Sequence, residues 1–120
     1  MTPDEQIESG LPALRRGVLA LAVLSQLQNE RYGYSLMKSL SDKGLDIDQG
    51  TLYPLLRRLE SQGLLQSSWR VDGDHPRRYY VVSEAGEKTI SQMKNEWQGI
   101  VRTMNIMLDT NQGGKNDSDR

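Results

Sequence analysis

Apolar residues recur at helical spacing in several stretches of this chain, and the most regular stretch lies between Asp48 and Gly63. Its leucines fall at positions i, i+3, i+4 and i+7, which places them on one face of a helix. They are Leu52, Leu55, Leu56 and Leu59. Asp48 suits the N-cap because its carboxylate can accept backbone N–H groups left unpaired at the helix start. Gly63 suits the position after the C-cap because glycine adopts the left-handed conformation without strain. The pattern predicts a short amphipathic helix over residues 48–62.

Pro54 falls inside this predicted helix. A proline in a helix interior removes one hydrogen bond and crowds the preceding turn, at a cost of about 3 kcal/mol. That cost is avoided if the regular helix begins near Thr51 and residues 48–50 form a looser lead-in turn. We therefore expect an irregular start.

Two further helices are predicted before this stretch, which we call the third helix. Between residues 11 and 27 apolar side chains lie on nearly all sides, which indicates a first helix buried on nearly all sides. A polar break follows at residues 28–31, and the second helix is expected to place Tyr34, Met37 and Leu40 on its inner face. A helix, a short turn and a helix with a polar outer face follow the order of a helix-turn-helix motif.

Beyond the third helix the spacing of apolar and polar residues changes to two, which is typical of a β-strand. Residues 65–71 alternate in this way, and the dipeptide Asp72-Gly73 is a strong turn signal. We expect Pro76 to end the loop that follows, and a second strand to cover residues 77–82. This β-hairpin is predicted to be the wing of a winged helix, with its tip at residues 73–78.

Ser83 can cap a long helix that is predicted to run from Glu84 to about Leu108. Its apolar residues repeat every seven positions, as in the seam of a coiled coil. At about 37 Å this helix is longer than the preceding domain can cover, so we expect its seam to pair with a second copy. The residues of this predicted dimer interface are Ile90, Met93, Trp97, Ile100, Met104 and Met107, with Val101 and Leu108 beside them. A helix folded back on its own core is the alternative.

These elements predict a mainly α fold with a small β-hairpin. Residues 11–83 are expected to form a winged helix-turn-helix domain, and residues 84–108 a C-terminal dimerisation helix. Residues 1–10 are expected to be a flexible acidic N-terminus, and the polar residues 109–120 a disordered tail. No apolar run is long enough to cross a bilayer and no signal peptide is expected, so we expect a cytoplasmic protein without membrane association.

Charge is unevenly distributed along these 120 residues, whose formal net charge is −1. Residues 1–12 carry three acidic side chains and no basic one, whereas residues 51–80 carry five arginines against three acidic side chains. Positive charge therefore gathers at the third helix and the wing, and a local field of this kind matters more for nucleic-acid binding than the total.

The outer face of the third helix carries small or polar groups near its start and guanidinium groups farther on. This arrangement suits a helix that enters a DNA major groove with its N-terminus first. An ordinary solvated face is the alternative, and Glu60 is expected to pair with Arg57 on the helix surface. The predicted DNA-binding residues are Tyr34, Gln49, Gly50, Thr51, Tyr53, Arg57 and Arg58, with Arg77 and Arg78 on the wing.

The composition argues against an enzyme. The chain has no cysteine and a single histidine, and it shows no acidic pair, glycine-rich phosphate loop or nucleophile motif in a suitable context. His75 lies near Asp72 and Asp74, but three exposed side chains on a hairpin tip are more typical of a solvated turn than of a metal site. We therefore predict no catalytic residue, metal or cofactor. A winged-helix scaffold that binds protein rather than DNA is the remaining alternative.

Five motifs along the chain form a set that is typical of one family. They are Tyr32-Gly33-Tyr34, residues 50–60, Gly63-Leu64-Leu65 with Trp69, Pro76-Arg77-Arg78-Tyr79-Tyr80, and Ser83-Glu84-Ala85-Gly86. With them, residues 13–108 resemble the PadR family of bacterial transcriptional regulators, in its branch with a single C-terminal helix. Ser83 stands where the family usually has threonine, and the exchange preserves the cap.

The resemblance implies a winged-helix homodimer that represses genes by binding a palindromic operator in double-stranded DNA. It also implies a response to a small aromatic or cationic effector. In the drug-binding members an aromatic residue of the C-terminal helix lines a pocket at the dimer interface, and Trp97 matches that position; a purely structural role in the dimer seam is the alternative. The hypothetical effector site comprises Leu14, Val18, Met93, Trp97 and Val101.

Overall fold

The computed structural model describes residues 15–109, with the exception of the side chain of Asp72. Within these residues α1 covers 15–25, and the later elements are β1 (Arg31–Tyr32), α2 (Gly33–Asp42), α3 (Gln49–Ser61), β2 (Leu65–Asp72), β3 (His75–Val82) and α4 (Glu84–Leu108). The predicted mainly α fold with a small β-hairpin is confirmed. The expectations for residues 1–14 and 110–120 lie outside the described residues.

The chain forms two compact units, with the boundary between Ile90 and Ser91. The first unit contains α1, the helix-turn-helix, the sheet and the first residues of α4. The second unit contains the rest of α4.

Leucine side chains from the first three helices form most of the core of the first unit. Leu52 and Leu56 of α3 are fully buried, as the helical spacing predicted. The buried apolar side chains are Leu19, Val23, Leu24, Leu27, Leu36, Leu40, Leu52, Leu55, Leu56, Leu59, Leu65, Tyr80 and Val82. The prediction that Tyr34 faces inward is wrong: its side chain is 59% exposed, because α2 begins at Gly33 and turns Leu36 inward instead.

Both ends of α3 are fixed by the residues predicted to cap it. The Asp48 carboxylate accepts a hydrogen bond of 2.8 Å from the backbone N–H of Thr51. At the other end Gly63 adopts φ +81°, its N–H donates to the carbonyl of Glu60, and the N–H of Leu64 donates to the carbonyl of Leu59. This pair of bonds is the Schellman motif, which satisfies carbonyl groups that the helix end leaves unpaired.

The expected irregular start of α3 is wrong. The helix begins at Gln49, so Pro54 lies within it, and the N–H groups of Thr51 and Leu52 both reach the carbonyl of Asp48. Pro54 removes the bond that would have reached the carbonyl of Gly50, which is an exposed residue in the first turn. Water can reach this carbonyl, and the helix therefore accommodates the proline without a looser lead-in.

The sheet has three antiparallel strands in the order β1-β3-β2, whereas the sequence predicted only the hairpin. β1 pairs Arg31 with Tyr80 and Tyr32 with Tyr79. The hairpin turn is also tighter than expected. Asp72 pairs with His75 across a two-residue loop, and Pro76 lies within β3 rather than at the end of a loop.

A close contact joins α4 to the end of α3. The Ser83 hydroxyl donates to the carbonyl of Gly63 at 2.6 Å and accepts the N–H of Gly86 at 3.0 Å, so it caps α4 as predicted. The N–H of Ser83 also donates to the carbonyl of Leu64. A Cβ atom on Gly86 would stand only 2.2 Å from that same carbonyl oxygen. Gly86 therefore permits a backbone approach that no larger residue allows.

Replacing this glycine should destabilise the fold. We expect Gly86→Ala to lower the free energy of unfolding by about 3 kcal/mol, the upper range for an overpacked site, because a backbone oxygen cannot yield as a flexible side chain would. Denaturant unfolding followed by circular dichroism measures the change.

Gly99 in the same helix provides the matched control. A Cβ atom there would have the Arg102 guanidinium as its nearest neighbour at 3.8 Å, an ordinary contact distance. Gly99→Ala should therefore stabilise the protein by about 0.5–1 kcal/mol through helix propensity. Equal effects of the two substitutions would contradict the close contact at Gly86.

Candidate nucleic-acid interface

The polar face of α3 lies on the surface, opposite its buried leucines. Gln49, Gly50, Thr51, Arg57 and Arg58 are all exposed. The side chains of Arg57 and Arg58 make no hydrogen bond or ion pair with any residue that the structure describes. The helix thus presents amide, hydroxyl and guanidinium groups that an incoming ligand can use.

A cleft of about 630 Å³ separates α3 from the hairpin and the start of α2; we call it the wing cleft. It brings together five of the predicted site residues, Tyr34, Tyr53, Arg57, Arg77 and Arg78. Sequence reasoning did not assign its other lining residues, Tyr32, Gly33, Trp69 and Tyr80. Gln49, Gly50, Thr51 and Arg58 do not line this cleft.

The glycine between two tyrosines in the Tyr32-Gly33-Tyr34 motif allows α2 and α3 to come close together. A Cβ atom on Gly33 would stand 2.7 Å from Cε1 of Tyr53, so the Tyr53 ring lies directly over the Gly33 backbone. The ring is half-buried and forms the floor of the cleft at the point where α2 begins. The motif therefore fixes the position of an aromatic side chain of α3.

Arg78 is tied to α3 through an ion pair. Its guanidinium donates to Glu60 Oε1 at 2.8 Å and, through Nε, to Ser67 Oγ at 3.0 Å. The Ser67 hydroxyl in turn donates to the second oxygen of Glu60 at 2.6 Å. The expected pair of Glu60 with Arg57 is wrong, because Glu60 is half-buried towards the sheet while Arg57 is exposed to solvent. This network joins α3 to both strands of the hairpin.

Aromatic rings and guanidinium groups alternate around the sheet. The guanidinium of Arg77 lies 4.5 Å from the centre of the Tyr32 ring, and that of Arg78 lies 5.8 Å from the centre of the Trp69 ring. Arg78 also lies 5.4 Å from the Tyr80 ring. Such stacks hold the side chains in place.

The surroundings of Tyr80 shift the pKa of its hydroxyl. Burial raises the pKa of Tyr80 above its ordinary value, although the nearby Arg78 charge acts in the opposite direction. At neutral pH Tyr80 is therefore a neutral hydroxyl beside the cleft.

Arg70 is held on the edge of the sheet rather than in the wing cleft. Its guanidinium forms an ion pair with Glu30 and lies 3.8 Å from the centre of the Tyr79 ring. Trp69, its neighbour in β2, has a side chain that is 65% exposed and lines the cleft. The alternation along β2 places these two neighbours on opposite faces.

The predicted seam of α4 is largely exposed within the second unit. Exposure is 43% at Trp97, 46% at Ile100, 39% at Met104 and 64% at Met107, whereas Met93 is half-buried. Ile90 is half-buried and belongs to the first unit.

The predicted effector residues divide between the two units. Val18 lies half-buried in α1 of the first unit, and Met93, Trp97 and Val101 belong to the second. Leu14 lies outside the described residues.

Two other classes of site find no support within residues 15–109. No described helix is long and apolar enough to cross a membrane. The described residues also contain no cluster of three or more side chains that could hold a metal ion.

Comparison with known proteins places this architecture in one family. The model of the transcriptional regulator PadR-like family matches residues 20–92. Transcriptional regulator Rv3488 of Mycobacterium tuberculosis is 35% identical over 89 residues, which cover 73% of this chain and 83% of the relative.

Solved structures agree with this match. A PadR family transcriptional regulator from Eggerthella lenta is 44% identical with a TM-score of 0.79, over 89% of this chain and 96% of that one. A PadR-like transcription factor from Bacteroides fragilis is 28% identical with a TM-score of 0.71, over 82% of this chain and 98% of that one. The chain therefore belongs to the PadR-like family of transcriptional regulators.

Proposed function

We propose that the protein is a homodimeric repressor that binds a palindromic operator through α3 and the hairpin wing and responds to a small-molecule effector. As a member of the PadR-like family it is a DNA-binding regulator and not an enzyme. The observation that carries the finer proposal is the surface of α3, whose polar and cationic side chains are exposed while its leucines anchor it in the core.

Base recognition is assigned to the first turns of α3. Gln49 and Thr51 can hydrogen-bond to base edges, and the methyl of Thr51 or the ring of Tyr53 can contact a thymine methyl. Gly50 leaves room for close approach, since a Cβ atom there would meet only the Asp48 carboxylate, at 3.7 Å. The N-terminus of α3 thus offers donors and acceptors in a form that fits a major groove.

Phosphate contacts are assigned to the cations that surround these base-reading groups. Arg57 and Arg58 lie farther along α3, and Arg77 lies on the wing. Tyr34 is exposed at the start of α2, where its hydroxyl can bond a phosphate oxygen. Arg78 contributes mainly by holding the wing against α3, because its guanidinium already bonds to Glu60 and Ser67.

Dimerisation is assigned to the apolar seam of α4. Exposed apolar side chains repeat there with heptad spacing, and a contiguous patch of this kind favours association with a second copy. In a two-fold dimer the two α3 helices should enter the groove about one helical turn apart or a multiple of it, so the operator should be a palindrome.

Arg57 provides the first test of DNA binding. In fluorescence anisotropy with duplex DNA from upstream of the protein's own gene, we expect Arg57→Ala to weaken binding to operator and unrelated DNA by a similar factor. The slope of log K against log salt should become shallower by about one unit, because one phosphate contact is lost. Lys88→Ala, an equal charge change at an exposed position of α4, should leave both measurements nearly unchanged.

The alternatives give different results in the same assay. A loss confined to the operator with an unchanged salt slope would make Arg57 a reader of bases. If the unmodified protein failed to bind any duplex at low salt, the scaffold that binds protein would be the better account.

The dimer seam can be tested with two isoleucines of α4. Ile100 belongs to the predicted seam, whereas Ile106 is 79% exposed and falls outside the heptad positions. We expect Ile100→Glu to convert a dimer into a monomer at micromolar concentration in sedimentation equilibrium, because it would bury an unpaired charge. Ile106→Glu should remain dimeric. A monomeric wild-type chain, or equal behaviour of the two variants, would contradict the proposed seam.

We also propose an effector site around Trp97, and the position of this residue in the apolar seam supports it. Two Trp97 rings, one from each copy, would form the walls of a slot that stacks a planar ligand. In Trp69→Phe protein only Trp97 reports, and planar aromatic compounds should change its fluorescence in a saturable way. A broad panel without effect would leave Trp97 as a seam residue alone.

A further inference from the structure

We propose that the wing cleft binds a small planar aromatic anion and that this ligand competes directly with DNA. The site is separate from the effector slot assigned to Trp97, since all its lining residues belong to the first unit. The competition rests on the proposed function, because it assumes that α3 and the wing contact DNA.

The size of the wing cleft fits a ligand of this kind. Its volume of about 630 Å³ lies within the range of small-molecule sites in proteins. Elements from three parts of the chain enclose it, namely the start of α2, the outer face of α3 and the two strands of the hairpin. The Glu60–Arg78–Ser67 network holds α3 to the two strands, and the Tyr53 ring lies against Gly33 at the start of α2, so the cleft is formed before any ligand arrives.

The walls of the cleft offer aromatic faces that duplex DNA cannot use. Tyr34 is 59% exposed and Trp69 is 65% exposed, and both line the cleft together with Tyr53. In a duplex the faces of the bases are covered by their neighbours in the stack, so exposed protein rings find no partner there. A free planar ring, by contrast, can stack on such side chains, as the bases of single-stranded nucleic acids do on aromatic residues.

The charge of the lining selects an anion. Three arginines and no acidic side chain line the wing cleft. Glu60 compensates Arg78, whereas Arg57 makes no ion pair with a described residue. A ligand that carries a carboxylate or phosphate beside its ring can therefore bond to the Arg57 guanidinium while the ring stacks on an aromatic wall.

A second depression, with a volume of about 560 Å³, lies between α1, α2 and the start of α3. Its lining carries three carboxylates, Asp42, Asp46 and Asp48, against two cations, Arg15 and Lys38. The wing cleft has three arginines and no carboxylate, so it is the more favourable of the two sites for an anion.

Competition follows from shared residues. Tyr34, Tyr53, Arg57 and Arg77 line the cleft and are also assigned to DNA contact. A ligand bonded to Arg57 removes a phosphate contact, and bound DNA in turn closes the cleft. By linkage each ligand must weaken the other by the same factor.

Phenyl phosphate is a suitable probe, and the full-length Trp97→Phe protein is a suitable reporter because Trp69 is then its only tryptophan. We expect phenyl phosphate to change Trp69 fluorescence in a saturable way. Inorganic phosphate, which lacks the ring, and benzyl alcohol, which lacks the charge, should each produce a much weaker response. A response of equal size to inorganic phosphate would overturn the stacking part of the proposal.

Two substitutions locate the probe. Arg57→Ala should weaken phenyl phosphate binding by about tenfold or more, as expected for the loss of a bond to a charged group. Tyr34→Leu should also weaken it, because one stacking face is lost. Arg102→Ala, an equal charge change on an exposed residue of the second unit, should leave it unchanged. Equal binding to all three variants would overturn the assignment to the wing cleft.

A displacement experiment tests the competition. Phenyl phosphate should release the wild-type protein from labelled duplex DNA, and inorganic phosphate at the same ionic strength should not. Thymidine 5′-phosphate combines the same features, so its affinity relative to phenyl phosphate distinguishes a nucleotide ligand from an aryl acid.

The two proposals fail separately. If the protein binds duplex DNA but gives no Trp69 response to phenyl phosphate, the ligand site is overturned and the proposed repressor stands. If phenyl phosphate acts on Trp69 and no duplex binds, the site is supported and the repressor is overturned. A response seen only in Trp69→Phe protein would assign the ligand to Trp97 and overturn the wing cleft.

Discussion

The attachment of α3 to the wing sheet determines the geometry of the surface around both. On one side the helix is anchored by buried leucines, and on the other Glu60 reaches Arg78 of β3 and Ser67 of β2. The Arg78–Glu60 pair is half-buried, so removing either partner would leave a poorly solvated charge. The width of the wing cleft, and hence the separation of Tyr53 and Trp69, follows from this attachment.

Sequence reasoning succeeded for the buried face and for the two ends of α3. The leucine spacing predicted the buried face of α3, and Asp48 and Gly63 predicted its ends, because each capping bond joins residues only a few positions apart. It failed for β1, whose two residues pair with distant Tyr79 and Tyr80. A strand of two residues carries no periodicity, so only the tertiary pairing reveals it.

For the same reason, the sequence predicted only some of the residues that line the candidate site. The tyrosines and arginines of α3 and the wing were identified individually, but the register that sets Trp69 opposite Arg78 is a property of the folded hairpin. Glu60 was assigned to Arg57 because the two are near in sequence, whereas burial turns its carboxylate towards the sheet. The prediction for the start of α3 was wrong because it assigned Pro54 the average cost of a proline in a helix interior. The hydrogen bond that Pro54 removes would have reached Gly50, an exposed residue in the first turn.

In a chain of formal net charge −1, two arginines of the cleft differ in whether a carboxylate compensates their charge. Arg78 is compensated by Glu60, so it orders the structure and adds little to the external field. Arg57 is exposed without an ion pair to a described residue, and its field is available to any approaching anion. In the proposed competition, a phosphate of DNA and the anionic group of a small ligand must therefore use the same cation. Their mutual exclusion then needs no second conformation of the protein, because one guanidinium cannot satisfy both partners at once.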